Sequence, residues 1–303
     1  MKKVLITGVA GFIGSNLLDY LLEQTDWEIH GIDNFSTGRK SNVKHNLDHA
    51  RFRLIEGSVF ELTSLKDYES IFHLSALPRI QPSFELVSDH IKENLLASIH
   101  LVELMMAENH YPRIINSSSS AIYGTPELIP TPESEKVDCL SPYAFQKFEC
   151  EKYFDLVSTR VPLDYVHLRY FNPFGPRSFN PENKFNAYSS VVGIFLNRKA
   201  RNEPLLITGD GLQKRDFIHV YDLAKANLLA AQHPEKLNTA FNIGASGTVS
   251  VIDLARMISE NYQFIPKREG EAEITYADVS KAKEILGWQP EHNLDTYINS
   301  VLG

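Results

Sequence analysis

One stretch near the N-terminus restricts this chain more than any other. Val4-Leu5-Ile6 is an apolar run of buried-strand length, and Thr7-Gly8-Val9-Ala10-Gly11-Phe12-Ile13-Gly14 follows it without a break. From Gly14 to Glu23 apolar residues recur at helical spacing. Strand, glycine-rich turn and helix in that order gather backbone N–H groups and a helix N-terminus around a volume that suits a pyrophosphate. The glycines permit the tight turn, close backbone approach and tight packing of helix on strand. The spacing is G-x-x-G-x-x-G, and Gly8, Gly11, Phe12, Ile13 and Gly14 are predicted to line a dinucleotide. Glu28–Ile32 reads as a second strand ending at Asp33, about 19 residues beyond Gly14, close to the offset expected for a ribose-binding acid. A carboxylate there accepts hydrogen bonds from the adenosine ribose and repels a 2′-phosphate. NAD is therefore expected over NADP, with Arg39 and Lys40 the nearby groups that would favour the reverse.

The rest of the first half repeats the rhythm. Strands are expected at Phe52–Glu56, Ser70–Leu74, Arg113–Ser117 and Tyr165–Tyr170, with helices over Val87–Glu108 and Tyr143–Ser158 between them. Such alternation implies an α/β fold, a Rossmann-type doubly wound parallel sheet covered on both faces. After Asn172-Pro173-Phe174-Gly175-Pro176 the chain becomes richer in Pro, Asn and Gly. Helices are expected at Tyr188–Ala200, Asp222–Gln232 and Val251–Glu260, and a strand at Ala240–Ile243. We expect a nucleotide-binding domain of residues 1–172 plus roughly 213–243, and a smaller, partly interleaved C-terminal substrate domain of residues 173–212 and 244–303.

The net charge of -8 disfavours a general nucleic-acid binder. A polyanionic ligand then needs its own pocket of arginines or backbone amides. Cys139 and Cys150 show no disulfide or metal spacing, so no metal site is expected. No apolar run approaches the roughly 18 residues of a membrane span. The basic-then-apolar start is broken too early, at Thr7-Gly8, for a secretory signal, and a cytoplasmic protein is expected.

A second constellation carries chemistry. Ser141-Pro142 is a helix-start signature, and Tyr143 and Lys147 follow at a spacing that puts them on one helix face. An ammonium beside a phenol stabilises the phenolate, which makes such a tyrosine a general acid/base for a hydroxyl. Upstream, the strand Arg113–Ser117 runs into Ser118-Ser119-Ser120-Ala121-Ile122-Tyr123-Gly124, hydroxyls at the edge of a parallel sheet where ligands bind.

Taken together these residues resemble the extended short-chain dehydrogenase/reductases of the NAD-dependent epimerase/dehydratase group, most closely the UDP-sugar 4-epimerases. The likeness runs in order along essentially the whole chain. It includes Asp33-Asn34-Phe35-Ser36-Thr37-Gly38-Arg39, His73-Leu74-Ser75-Ala76, Asn94, Ser117–Gly124, Tyr143 with Lys147, Leu168–Pro173, Gly209–Gly211, Arg215–Val220 and Arg268 to Ala282. The resemblance implies Ser119, Tyr143 and Lys147 as the catalytic triad. It implies cofactor contacts from Asn34, Ser36, Thr37, Gly38, Ser58, Val59, Leu74, Ser75, Ala76, Asn94, Ser117, Tyr143, Lys147 and Tyr170 as well. Arg79, Ser119, Ser120, Tyr143, Asn172, Arg177, Arg215 and Arg268 would meet a UDP-linked sugar, the last two as diphosphate clamps. A homodimer is implied too.

Related dehydratases carry Asp-Glu after the catalytic hydroxyl, where this chain has Ser120-Ala121. UDP-glucuronate decarboxylases usually keep the glutamate that Ala121 replaces. Oxidation and re-reduction at one carbon, C4 of a hexose, is the reading that remains. A one-way 4-ketosugar reductase, a UDP-glucuronate decarboxylase and a catalytically silent NAD-binding scaffold or redox sensor are the alternatives. Two departures bear on it: Ser58-Val59 stands where the family usually has Asp-Val against adenine, and Pro78-Arg79 fills a loop usually built of small residues or a lysine.

Overall fold

The computed structural model describes residues 1–180, 189–267 and 272–303. Its strands are β1 (Lys3–Thr7), β2 (Glu28–Asp33), β3 (Phe52–Glu56), β4 (Ser70–His73), β5 (Arg113–Ser119), β6 (Tyr165–Tyr170), β7 (Leu205–Thr208), β8 (Lys214–Arg215), β9 (Thr239–Ile243), β10 (Val249–Ser250) and β11 (Tyr262–Ile265). Seven of these form one sheet in the order β3-β2-β1-β4-β5-β6-β9. All its pairings are parallel. The order reverses between β1 and β4, which is the switch point where a doubly wound sheet opens its ligand crevice. The chain thus has the Rossmann-type sheet that its strand–helix alternation predicts.

The helices are α1 (Phe12–Gln24), α2 (Ile80–Glu85), α3 (Val87–Ile91), α4 (Ala97–Glu108), α5 (Pro142–Ser158), α6 (Val191–Ala200), α7 (Val220–Gln232), α8 (Val251–Ile258), α9 (Ser280–Leu286) and α10 (Leu294–Leu302). Apolar side chains pack on both faces of the sheet. One face joins Val4, Ile6, Leu17, Leu21, Phe72 and Phe241 to α1 and α7. The other joins Leu5, Ile71, Ile114 and Phe154 to Leu101 and Met105 of α4. A separate core of Phe174, Phe195, Leu205, Ile207, Phe217 and Leu254 lies beyond the end of β6. There α6, β7 and α8 pack together, and β11 pairs with β7. Among the described residues no helix is long and apolar enough to cross a membrane.

Two expectations for the helices need correction. The helix predicted over Val87–Glu108 is interrupted by one π-helical stretch, Lys92–Leu96. That extra residue turns Asn94 inward, where its amide accepts from Leu77 N–H (2.7 Å) and donates to Leu77 O (3.1 Å) and Gln146 Oε1 (2.9 Å). Buried polar groups demand partners, and here they win over regular helical periodicity. Helix α6 begins only at Val191, with the Ser190 hydroxyl accepting from Gly193 N–H as cap; Tyr188 lies outside the described residues. The strand β7 was hidden in the Pro- and Gly-rich stretch, although Leu205-Leu206-Ile207 is an apolar run.

Candidate active site

The glycine turn folds as its sequence demands. Gly8 has φ +71° and donates to Ile32 O (2.8 Å), which ties the turn to β2. A methyl on Gly8 would lie 2.9 Å from the Ser75 backbone, and one on Gly14 only 2.1 Å from Gly8 O. No side chain caps the N-terminus of α1, so its first N–H groups are open to whatever occupies the space before them. Gly8, Gly11, Phe12, Ile13 and Gly14 line a cavity of about 740 Å³.

At the end of β2, Asp33 is almost fully buried and also borders this cavity. Its Oδ2 accepts from Ala10 N–H and its Oδ1 from Phe35 N–H, both at 2.8 Å. Burial pushes the carboxyl above its ordinary pKa, while these backbone donors pull it back. Asn34, Ser36 and Thr37 line the cavity beside it, as do Ser58, Val59, Leu74, Ser75, Ala76, Ser117 and Tyr170. Ser58 caps the short helix behind it by accepting from Phe60 N–H, so its side chain is already engaged.

Beneath the cavity floor lies a buried chain of polar groups that sequence reasoning missed. Thr7 Oγ1 accepts from the N–H groups of Leu74 and Ser75 (3.1 Å each) and stands 2.9 Å from His73 Nδ1. His73 Nε2 is 2.9 Å from Ser98 Oγ. Burial, with Lys147 nearby, pushes the His73 pKa down to about 3, so the ring is neutral. With two N–H groups already donating to it, the Thr7 hydroxyl donates a hydrogen bond to Nδ1, and Nε2–H donates to Ser98. The row fixes β4 against β1 beside the cavity.

Opposite, α5 starts where Ser141 Oγ accepts from Ala144 N–H (3.2 Å). Tyr143 N–H donates to Ser83 Oγ (3.1 Å), binding this helix start to α2. Lys147 is buried, and its Nζ donates to Ser117 O at 2.8 Å. Ser119 ends β5 and accepts from Ala121 N–H (3.2 Å). Tyr143, Lys147, Ser119 and Ser120 thus meet on one cavity wall, where Ala121 contributes a methyl group instead of a carboxylate. The arrangement has a phenol, a fixed ammonium and a hydroxyl at the sheet edge. These are the groups needed to move a proton to and from a substrate hydroxyl.

Several expected contacts fall elsewhere. Asn94 is absent from the cavity wall, because its amide is consumed by Leu77 and Gln146. Gly38 is also off the wall: it lies against the Asp33 carboxylate, where a methyl would stand 2.9 Å from Oδ1. Arg177 borders the cavity, but its guanidinium donates to Asn16 Oδ1 (2.7 Å), Asp19 Oδ2 (2.5 Å) and Asn42 O (2.9 Å). It holds its segment down on α1. Asn172 also lines the cavity, with its amide N–H groups donating to Asp216 O (3.0 Å) and Thr275 Oγ1 (2.8 Å). Arg79 and Arg215 do line the cavity, Arg79 with φ +91°. Arg268 lies outside the described residues. Leu206, Thr208 and Gln213, and Ile265 of β11, form a further wall that no motif announced.

The chain is similar to known proteins over nearly its whole length. Residues 4–244 match the NAD dependent epimerase/dehydratase family. A protein of Methanocaldococcus jannaschii, named as a putative UDP-glucose 4-epimerase, is 33% identical over 305 residues, covering 99% of this chain and 97% of that protein. Among solved structures, the UDP-N-acetylglucosamine 4-epimerase from Methanobrevibacter ruminantium in complex with UDP-N-acetylmuramic acid superposes with a TM-score of 0.90. It shares 32% identity and covers 99% of this chain and 97% of that one. The UDP-glucose 4-epimerase of Thermotoga maritima with UDP-glucose gives 0.89, 32%, 99% and 97%.

Changing Gly14 to Ala should cost about 1–3 kcal/mol of stability, as overpacking does, and abolish the rise in melting temperature that NAD gives. Gly247→Ala, where nothing lies within 4 Å of the added methyl, should leave both unchanged. Differential scanning fluorimetry with and without NAD reads both variants.

Proposed function

The chain belongs to the NAD-dependent epimerase/dehydratase family, and we propose that it inverts C4 of a UDP-linked hexose. The observation that carries this reading is the meeting of Tyr143, Lys147 and Ser119 with the glycine cradle on one cavity. The cradle suits NAD: side chains are excluded at Gly8 and Gly14, the N-terminus of α1 is uncapped, and Asp33 closes β2. Gly8, Gly11, Phe12, Ile13, Gly14 and Asp33 would hold it. When bound, NAD takes up and returns a hydride at the sugar carbon.

The chain's own residues manage the proton. Tyr143 takes the proton of the sugar 4-hydroxyl and later gives it back. Lys147, pinned by Ser117 O, holds positive charge beside that exchange. Ser119 donates a hydrogen bond to the sugar oxygen and orients it. Arg215 stands on the wall of the cavity as a partner for the diphosphate. Ala121 offers no acid or base to the neighbouring carbons, which favours epimerisation over dehydration or decarboxylation.

The same reading pairs two copies of the chain. Phe145 and Leu156 share one face of α5 and are 52% and 68% exposed. Apolar surface of this kind on a helix favours burial against a partner. Sedimentation equilibrium should report a dimer, and Leu156→Glu a monomer.

Incubated with UDP-glucose, UDP-N-acetylglucosamine or UDP-glucuronate, the enzyme should form the 4-epimer of at least one, read from the anomeric NMR signal. Tyr143→Phe should lower turnover by about 10²-fold or more while NAD still binds. A 4-keto-6-deoxy sugar as main product, or a Phe variant keeping over about a tenth of the rate, would overturn the reading.

NAD should raise the melting temperature more than NADP at equal concentration, since only the 2′-phosphate meets the Asp33 carboxylate. Equal stabilisation by NADP would remove the cofactor preference.

A further inference from the structure

Below the proposed proton machinery lies a buried ion pair that the reaction scheme leaves unused. Glu151 and Arg169 are 2% and 7% exposed. The guanidinium meets the carboxylate through two bonds, Nε to Oε1 at 3.0 Å and Nη2 to Oε2 at 2.6 Å. Pairing holds the Glu151 carboxyl below its ordinary pKa against burial, and raises that of Arg169. Buried ion pairs are poor sources of stability, because desolvation offsets most of their attraction. What this one reaches is more telling.

Glu151 Oε1 also accepts from Ser118 Oγ (2.5 Å), the residue before Ser119. Arg169 Nη1 donates to Tyr123 OH (2.7 Å), four residues after Ser119, and to Glu133 O (3.0 Å). Tyr123 OH donates to Asn242 Oδ1 (2.7 Å) on β9. The pair therefore grips the Ser118–Tyr123 turn on both sides of Ser119. Glu151 also follows Tyr143 and Lys147 at four-residue spacing, so the same carboxylate sets where α5 sits along β5.

We infer that the Glu151–Arg169 ion pair is a positioning device that sets the Ser119 hydroxyl against the Tyr143 phenol. This rests on the roles proposed above for those two residues. Neither Glu151 nor Arg169 borders the cavity, so the pair acts on the site through its neighbours, Ser118 and Tyr123 among them. Small displacements of reacting groups are costly in rate and cheap in binding.

The test is a kinetic double-mutant cycle on full-length enzyme with NAD. Glu151→Gln should lower kcat about tenfold or more through misplacement, with KM for the UDP-hexose and Kd for NAD within about twofold. In a Ser119→Ala background the same change should cost less than about twofold, because the hydroxyl it positions is gone. A merely structural glutamate would cost the same in both backgrounds. If Glu151→Gln does not fold, Tyr123→Phe crossed with Ser119→Ala replaces it, with the same pattern expected. A wild-type kcat, or an equal loss in both backgrounds, overturns the inference alone. A fully active Ser119→Ala would instead sink the role of Ser119 and this inference with it.

Discussion

The site depends first on backbone coming closer to backbone than a side chain would permit. At Gly14 a single methyl would overlap Gly8 O, and at Gly8 it would press on the Ser75 main chain. Because both positions are bare, α1 starts directly behind β1 and its uncapped N-terminus borders the cavity. Asp33 then seals the turn by accepting from Ala10, so one buried carboxylate both shapes the loop and stands at the cavity edge.

On that frame, buried polar side chains fix the remaining pieces. Thr7, His73 and Ser98 bind β4 to β1 and α4, Asn94 binds the Leu77 loop to α5, and Glu151 binds α5 to β6 through Arg169 and to β5 through Ser118. A low-dielectric interior makes each such group costly unless it is satisfied, so these contacts have few alternative geometries. The reactive groups at the cavity wall inherit that precision. Arg177 does comparable work between α1 and the segment beyond Pro176.

Charge is distributed against the protein's overall balance. The chain carries a net -8, yet Arg39, Arg79, Lys147, Arg177, Arg198 and Arg215 border the cavity, against Asp33, Glu85 and Glu93. Local cations and open helix N–H groups give an anionic ligand a favourable path where the mean field would repel it. The acidic exterior and the basic cavity are therefore compatible.

The sequence by itself determined the parallel sheet, the glycine cradle, Asp33 at the end of β2, and the helix that carries Tyr143 and Lys147. These are local matters: apolar periodicity, turn chemistry and a Ser-Pro helix start act within a few residues. Tertiary structure alone decided what the polar side chains do. Asn94 sits in a motif that suggests a ligand contact, yet its amide is spent on Leu77 and Gln146, and Arg177 and Asn172 border the cavity while bonded to chain segments brought close by folding. Glu151 lies one turn beyond Lys147 in plain view, but its importance appears only when β6 delivers Arg169 and β5 delivers Ser118. A hydrogen bond needs its partner in place, and for these residues the partner is supplied by another part of the chain.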